Sequence, residues 1–167
     1  AVVREGLRLL LEAQGDIEVV GQAGSGREAL AVVERLTPRV VVMDIAMPDL
    51  SGIEATRWLR RRHPGTEVVV LSMHVSTAHV RQALAAGAVG YVLKEAAGDE
   101  LVGAVRAATS GRRFLSERID PSTLEGSVSR RRRAADECAV ASLSARERQV
   151  LLAVVEGRTS AEIAAWR

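Results

Sequence analysis

Aromatic residues are nearly missing from this chain of 167 residues: one tyrosine, one phenylalanine and two tryptophans, 2% in all. Any core must therefore be aliphatic, built from Val, Leu, Ile and Ala. Cysteine is scarcer still. Cys138 stands alone, so no internal disulfide forms and no cysteine-based metal site is available, which fits a reducing compartment. No apolar stretch approaches the roughly 20 residues that a membrane helix needs. The N-terminal AVVREGLRLLLEAQ interleaves acids and arginines with its apolar residues, so it is no signal peptide. The expectation is a soluble cytoplasmic protein with no membrane partner.

What is present is ordinary in amount and uneven in placement. The hydrophobic fraction is 47% and the net charge +2. Residues 1–111 carry 12 basic and 13 acidic side chains, whereas residues 112–167 carry 11 basic and 8 acidic ones, with RRRR at Arg130 to Arg133. A basic tail on a near-neutral body points towards nucleic acid, although an arginine run is also what a solvated linker carries.

Apolar periodicity alternates along the body. Val3, Leu7, Leu10 and Leu11 fall on one helical face, and Gly15 ends that helix. A short strand is expected around Ile17 to Val20. Ser25 with Glu28, and Ser51 with Glu54, have capping-box spacing and open two further helices. RVVVMD, EVVVLSM and VGYVLK read as strands, STAHVRQALAAG and GDELVGAVRAATSG as helices. Strands joined by helical crossovers run parallel, and the helices cover both faces of the sheet. Continuous apolar runs such as VVVM suit strands buried on both sides. The body is thus expected to be α/β, a doubly wound parallel sheet with readable strands around Val19, Val42, Val70 and Val92.

From Arg112 the period fails, and residues 112–142 read as a linker. Residues 143–167 read as helical again. Ser144 and Glu147 form a capping box, Gly157 ends the helix, and Thr159 with Glu162 caps another. Two helices across such a turn suggest the start of a helix-turn-helix.

Ligands of open α/β sheets sit at the carboxyl ends of the strands. Asp44 ends VVVM, Ser72 ends VVVL and Lys94 ends YVL, so a carboxylate, a hydroxyl and an ammonium reach one rim. A carboxylate can attack a phosphoryl donor and become an acyl phosphate. Lys94 could pair with phosphate oxygens, Ser72 could donate to one, and Mg²⁺ could bridge phosphate and carboxylate.

These residues carry a family resemblance. VVVMDIAMPDLSGIEA, VVVLSMH and GAVGYVLKEA resemble the receiver domain of NarL/FixJ-type response regulators, and LSARERQVLLAVVEGRTSAEIA resembles the opening of their LuxR-type DNA-binding domain. The resemblance implies a flavodoxin-like receiver over 1–111, a linker over 112–142 and a partial all-α helix-turn-helix domain over 143–167. It implies that a sensor histidine kinase phosphorylates Asp44, with Lys94 and Ser72 as companions and Tyr91 as the switch aromatic. Met47-Pro48 would form the following loop, and the backbone carbonyl of Ala46 would join Asp44 on Mg²⁺. Glu147 would be the acid of the first LuxR-type helix. A transcription regulator that acts on promoter DNA, not an enzyme, follows, with a homodimer as an assembly.

The sequence also departs from that pattern. It begins inside the family's first helix, so the first strand and the acid pair that completes the Mg²⁺ site are expected just before Ala1. The recognition helix is expected after Arg167, which makes the chain truncated at both ends relative to its family. A receiver acting by protein contacts without DNA is the alternative. A hydrolase using Asp44 as nucleophile would want a second acid two residues on, where Ala46 stands. His63, His74 and His79 lack ligand spacing and read as loop and surface residues. Gly24 and Gly26 read as a turn and cap, not a dinucleotide loop, and Asp49 as a turn residue. Trp166 reads as core of the second domain, and Cys138 as an incidental thiol.

Overall fold

The computed structural model of the chain describes residues 2–120, 151–153 and 161–166. Helix and strand alternate as α1 (Val2–Glu12), β1 (Ile17–Ala23), α2 (Gly26–Leu36), β2 (Val40–Asp44), α3 (Gly52–Arg62), β3 (Glu67–Ser72), α4 (Thr77–Ala86) and β4 (Gly90–Leu93). A single 3-10 turn (Lys94–Ala96) leads into α5 (Ala97–Thr109), followed by β5 (Phe114–Leu115), β6 (Leu151–Ala153) and β7 (Ala161–Trp166).

The main sheet has the order β5-β4-β3-β2-β6, with β2, β3, β4 and β5 paired in parallel, while β1, expected in the same parallel sheet, instead pairs with β7 in a separate two-stranded sheet. Every residue of β2 and β4 is buried. Their side chains alternate between two cores, as the two-residue period of a strand requires. Val41, Met43, Val68, Val70, Tyr91 and Leu93 face α2, α3 and α4 residues such as Val33, Leu59 and Val80. Val40, Val42, Val69, Leu71 and Val92 face Leu7 and Leu11 of α1 and Leu101 and Val105 of α5. Helices on both faces explain why the strand sequences are apolar without interruption. On α1 the expected stripe holds at Leu7 and Leu11, while Val3 is 38% exposed at the open end of the helix.

Local chemistry sets the helix boundaries. Ser51 accepts the Glu54 N–H at 3.2 Å and Glu54 returns to the Ser51 N–H, a complete capping box on α3. Ser25 accepts the Glu28 N–H at 3.3 Å at the start of α2. Ser76 does the same for α4, and Gly87, at φ +107°, ends it in the left-handed conformation that glycine tolerates.

The carboxyl side of the chain departs from expectation in two places. Phe114–Leu115, within residues read as the start of the linker, add a strand beside β4, and Ile119 is buried against Tyr91 and Leu93 in the same core. The second departure concerns only the nine described residues of the tail, which read as helical in sequence. Leu151–Ala153 form β6, parallel to β2, and Ala161–Trp166 form β7, antiparallel to β1. Glu162, read as a cap partner, pairs with Gln22 instead. The physical cause is the sheet itself. β2 has a second edge whose N–H and C=O groups need partners inside an apolar setting. The apolar run at Leu151 satisfies that edge, and such pairing outweighs the weaker local preference for helix. Ser144, Glu147, Gly157, Thr159, Cys138 and the arginine run lie outside the described residues.

Candidate functional site

Asp44, Ser72 and Lys94 lie at the carboxyl ends of three adjacent strands. Register brings them level: Asp44 pairs with Leu71, and Ser72 with Leu93, the residue before Lys94. The Lys94 ammonium forms an ion pair with Asp44 Oδ2. Asp44 Oδ1 accepts the Ala46 N–H at 3.0 Å, so both carboxylate oxygens are engaged. Asp44 is 1% exposed, and Lys94 reaches it from a side chain 11% exposed. Burial pushes the Asp44 carboxyl above its ordinary range, and this outweighs the opposing pull of Lys94 and the backbone N–H groups.

Lys94 is the only lysine in the sequence; the other 22 basic residues are arginines. An ammonium is a compact point charge on a flexible stem, unlike a guanidinium fork. Its single use at this position was a signal available in composition that the strand pattern alone did not reveal.

Ser72 and Tyr91 engage a common acceptor. The Ser72 hydroxyl donates to the His74 carbonyl at 3.1 Å and accepts the His74 N–H at 3.2 Å. The Tyr91 hydroxyl donates to the same carbonyl at 3.4 Å, from a ring with no exposed surface. Burial raises the Tyr91 phenol above its ordinary value. Ser72 and Tyr91 thus hold the turn after β3, while Asp44 and Lys94 hold each other. The structure brings all four residues to one rim and divides them into two pairs.

The loop after Asp44 closes tightly. Ile45 donates to Leu71 O at 3.1 Å, and Gly52 donates to Ile45 O at 3.1 Å. A side chain at position 52 would collide with the Asp44 carbonyl, so glycine is required there. Asp49 takes φ +70°, which accords with its reading as a turn residue. Gly26 opens α2 against Leu50, consistent with the turn-and-cap reading of that segment. His63 caps the end of α3 beside Trp58, and its Nε2 is buried without a hydrogen-bond partner among the described residues.

Asp44 and the Ala46 carbonyl are the oxygen donors expected for Mg²⁺. Among the described residues no group of three or more His, Cys, Asp or Glu could hold a metal ion. Mg²⁺ takes about six oxygens and keeps several of them as water, so these two donors would supply part of its shell.

One connection had no sequence signal. The buried Ser116 hydroxyl accepts the Leu93 N–H at 2.9 Å and donates to Glu100 of α5. This ties the segment after β5 to the strand that delivers Lys94.

Comparison with known proteins agrees with this geometry. The model of the response regulator receiver domain matches residues 1–106. The transcriptional regulatory protein LiaR of Bacillus subtilis is 37% identical over 164 residues, covering 97% of this chain and 75% of LiaR. The response regulator UvrY of Escherichia coli is 34% identical over 162 residues, covering 97% of this chain and 73% of UvrY. Among solved structures, a LuxR-family two-component response regulator from Aurantimonas matches with TM-score 0.65 at 34% identity, over 75% of this chain and 89% of that one. The receiver domain of NarL from Mycobacterium tuberculosis matches with TM-score 0.64 at 35% identity, over 66% of this chain and 90% of that one. With a strand-end carboxylate paired to a lysine on a doubly wound parallel sheet, and matches of this extent, the chain belongs to the response regulator receiver family.

Proposed function

We propose that Asp44 is the phosphoacceptor of a DNA-binding response regulator in a two-component system. The observation that carries this reading is the ion pair between Asp44 and Lys94 at the ends of neighbouring parallel strands. A nucleophilic carboxylate must be ionised, and burial opposes ionisation. The ammonium supplies the charge that keeps the oxygen anionic.

In the transfer, an Asp44 oxygen attacks phosphorus in a sensor kinase's phosphohistidine. The new P–O bond forms as the P–N bond breaks, and the imidazole nitrogen keeps the electron pair. Lys94 then exchanges a carboxylate oxygen for phosphoryl oxygens, which are more highly charged. Ser72, one strand away, leaves the His74 carbonyl to donate to the phosphoryl group, and Tyr91 follows the released turn. This converts a local charge change into a two-state rearrangement. Asp44 and the Ala46 carbonyl are the oxygens the chain offers to Mg²⁺. A cytoplasmic location goes with phosphotransfer from a sensor kinase, and transcription control accords with the names of LiaR and UvrY. The chain acts here as a switch and not as a turnover enzyme.

The test is intact-mass analysis after incubation with acetyl phosphate and Mg²⁺. The chain gains one phosphoryl group, and Asp44→Asn gains none. An unchanged mass in the wild type, or the same gain in Asp44→Asn, overturns the reading. DNA binding by the regulator is read from a gel shift whose midpoint weakens with salt.

A further inference from the structure

The outer face of α3 takes no part in the site at Asp44. Along it runs a groove of about 420 Å³, lined by Leu50, Glu54, Arg57, Trp58, Arg61 and Arg62. Four of the eleven residues of α3 are arginines, against one glutamate. Two of the four are occupied. Arg60 donates to the carbonyls of Pro64 and Thr66 and pairs with Glu67 at 3.1 Å. Arg62 lies 4.9 Å above the Trp58 ring and 3.8 Å from Glu34.

Arg57 and Arg61 have no ion-pair or hydrogen-bond partner among the described residues. They stand one turn apart on an exposed face, where like charges oppose the helix. Glu54, the only acid of α3, has its carboxylate turned to the Ser51 N–H and hydroxyl. The helix therefore presents two unbalanced guanidiniums beside an apolar floor of Leu50 and Trp58. Arg62 above Trp58, with His63 at 6.1 Å from its ring, fixes that floor in place.

We infer that this groove docks a short acidic amphipathic helix of a partner protein. Carboxylates one turn apart on such a helix match Arg57 and Arg61, since four residues rise about 6 Å. An apolar side chain on the same face seats on Leu50 and Trp58, in the helix-in-groove manner. A guanidinium fork donates two bonds to a carboxylate, which fixes register as well as charge. Nucleic acid fits less well. Its phosphates need a continuous cationic strip, whereas here the floor is apolar and Glu54 stands at its edge.

The test uses the full chain and a labelled helix-forming peptide of about four turns. The peptide carries Leu on one face and Glu pairs one turn apart, and binding is read by fluorescence anisotropy. Saturable binding is expected, weakened about tenfold or more in Arg57→Glu/Arg61→Glu and in Trp58→Ala. The same peptide with Lys in place of Glu should bind the charge-reversed variant and not the wild type. Thermal melts check that the exposed Arg57 and Arg61 substitutions, and the half-buried Trp58→Ala, leave the fold intact. No saturable binding, equal binding by the charge-reversed variant, or tighter binding of a duplex oligonucleotide through Arg57 and Arg61 overturns the proposal.

Discussion

Lys94 and Asp44 are 50 residues apart in sequence and in direct ionic contact in the fold, yet the carboxyl remains harder to ionise than a free aspartate. Burial is the larger influence and the ammonium the smaller. The native state therefore holds the Asp44 proton more tightly than the unfolded chain does. That contribution to stability is full below the ordinary carboxylate range, near pH 3.8, and is lost as pH rises through the raised native value.

Asp44→Asn removes this dependence. Thermal melts across pH should show the variant gaining on the wild type as pH rises above the ordinary carboxylate range. Glu67, which burial also raises, is common to both proteins, so the difference curve isolates Asp44. A pH-independent difference would contradict the assignment of burial as the leading cause.

Lys94→Met acts in the opposite sense. It leaves a carboxylate 1% exposed without its cation. Breaking one side of a buried pair costs about 3 kcal/mol, and urea denaturation at neutral pH reads this as a lower midpoint. Acetyl phosphate labelling should fall in the same variant, because the charge that favours an ionised Asp44 is gone.

Ser51→Ala removes the acceptor for the Glu54 N–H and half of the capping box on α3. The expected loss is about 1 kcal/mol, with Ser51→Asp keeping most of the stability. Equilibrium unfolding of the three proteins ranks them wild type, Asp, Ala.

Ser116→Ala leaves the buried Leu93 N–H without an acceptor. An orphaned buried donor costs about 1–3 kcal/mol. Amide exchange at Leu93 and over Phe114–Leu115 should quicken, while exchange in β2 stays slow. Uniform protection throughout would show that the hydroxyl is dispensable.

The strands at Val42, Val70 and Val92 were legible because burial on both faces leaves no polar alternation to hide them. Asp44, Ser72 and Lys94 were legible as strand ends, and parallel pairing then brought them to one rim. That Lys94 holds Asp44 while Ser72 shares an acceptor with Tyr91 was not, since His74 O is a backbone group with no mark in sequence. The short strand Phe114–Leu115 escaped because two residues carry no period. β6 and β7 escaped for a different reason. Ser144-Glu147 and Thr159-Glu162 are local signals for helix, whereas the edges of β1 and β2 are properties of the assembled sheet.

The contact between position 52 and the Asp44 carbonyl has a mechanical consequence. Because Gly52 begins α3 with no space for even a methyl group, the helix axis is pinned at the turn that follows Asp44, the proposed phosphoacceptor. A load on the far side of α3 and a new group on Asp44 would strain the same pivot. By reciprocity, whatever factor one event imposes on the other's equilibrium must be returned in full. Occupancy of the helix by a partner would thus bias the equilibrium of the modification proposed at Asp44, without any contact between the two.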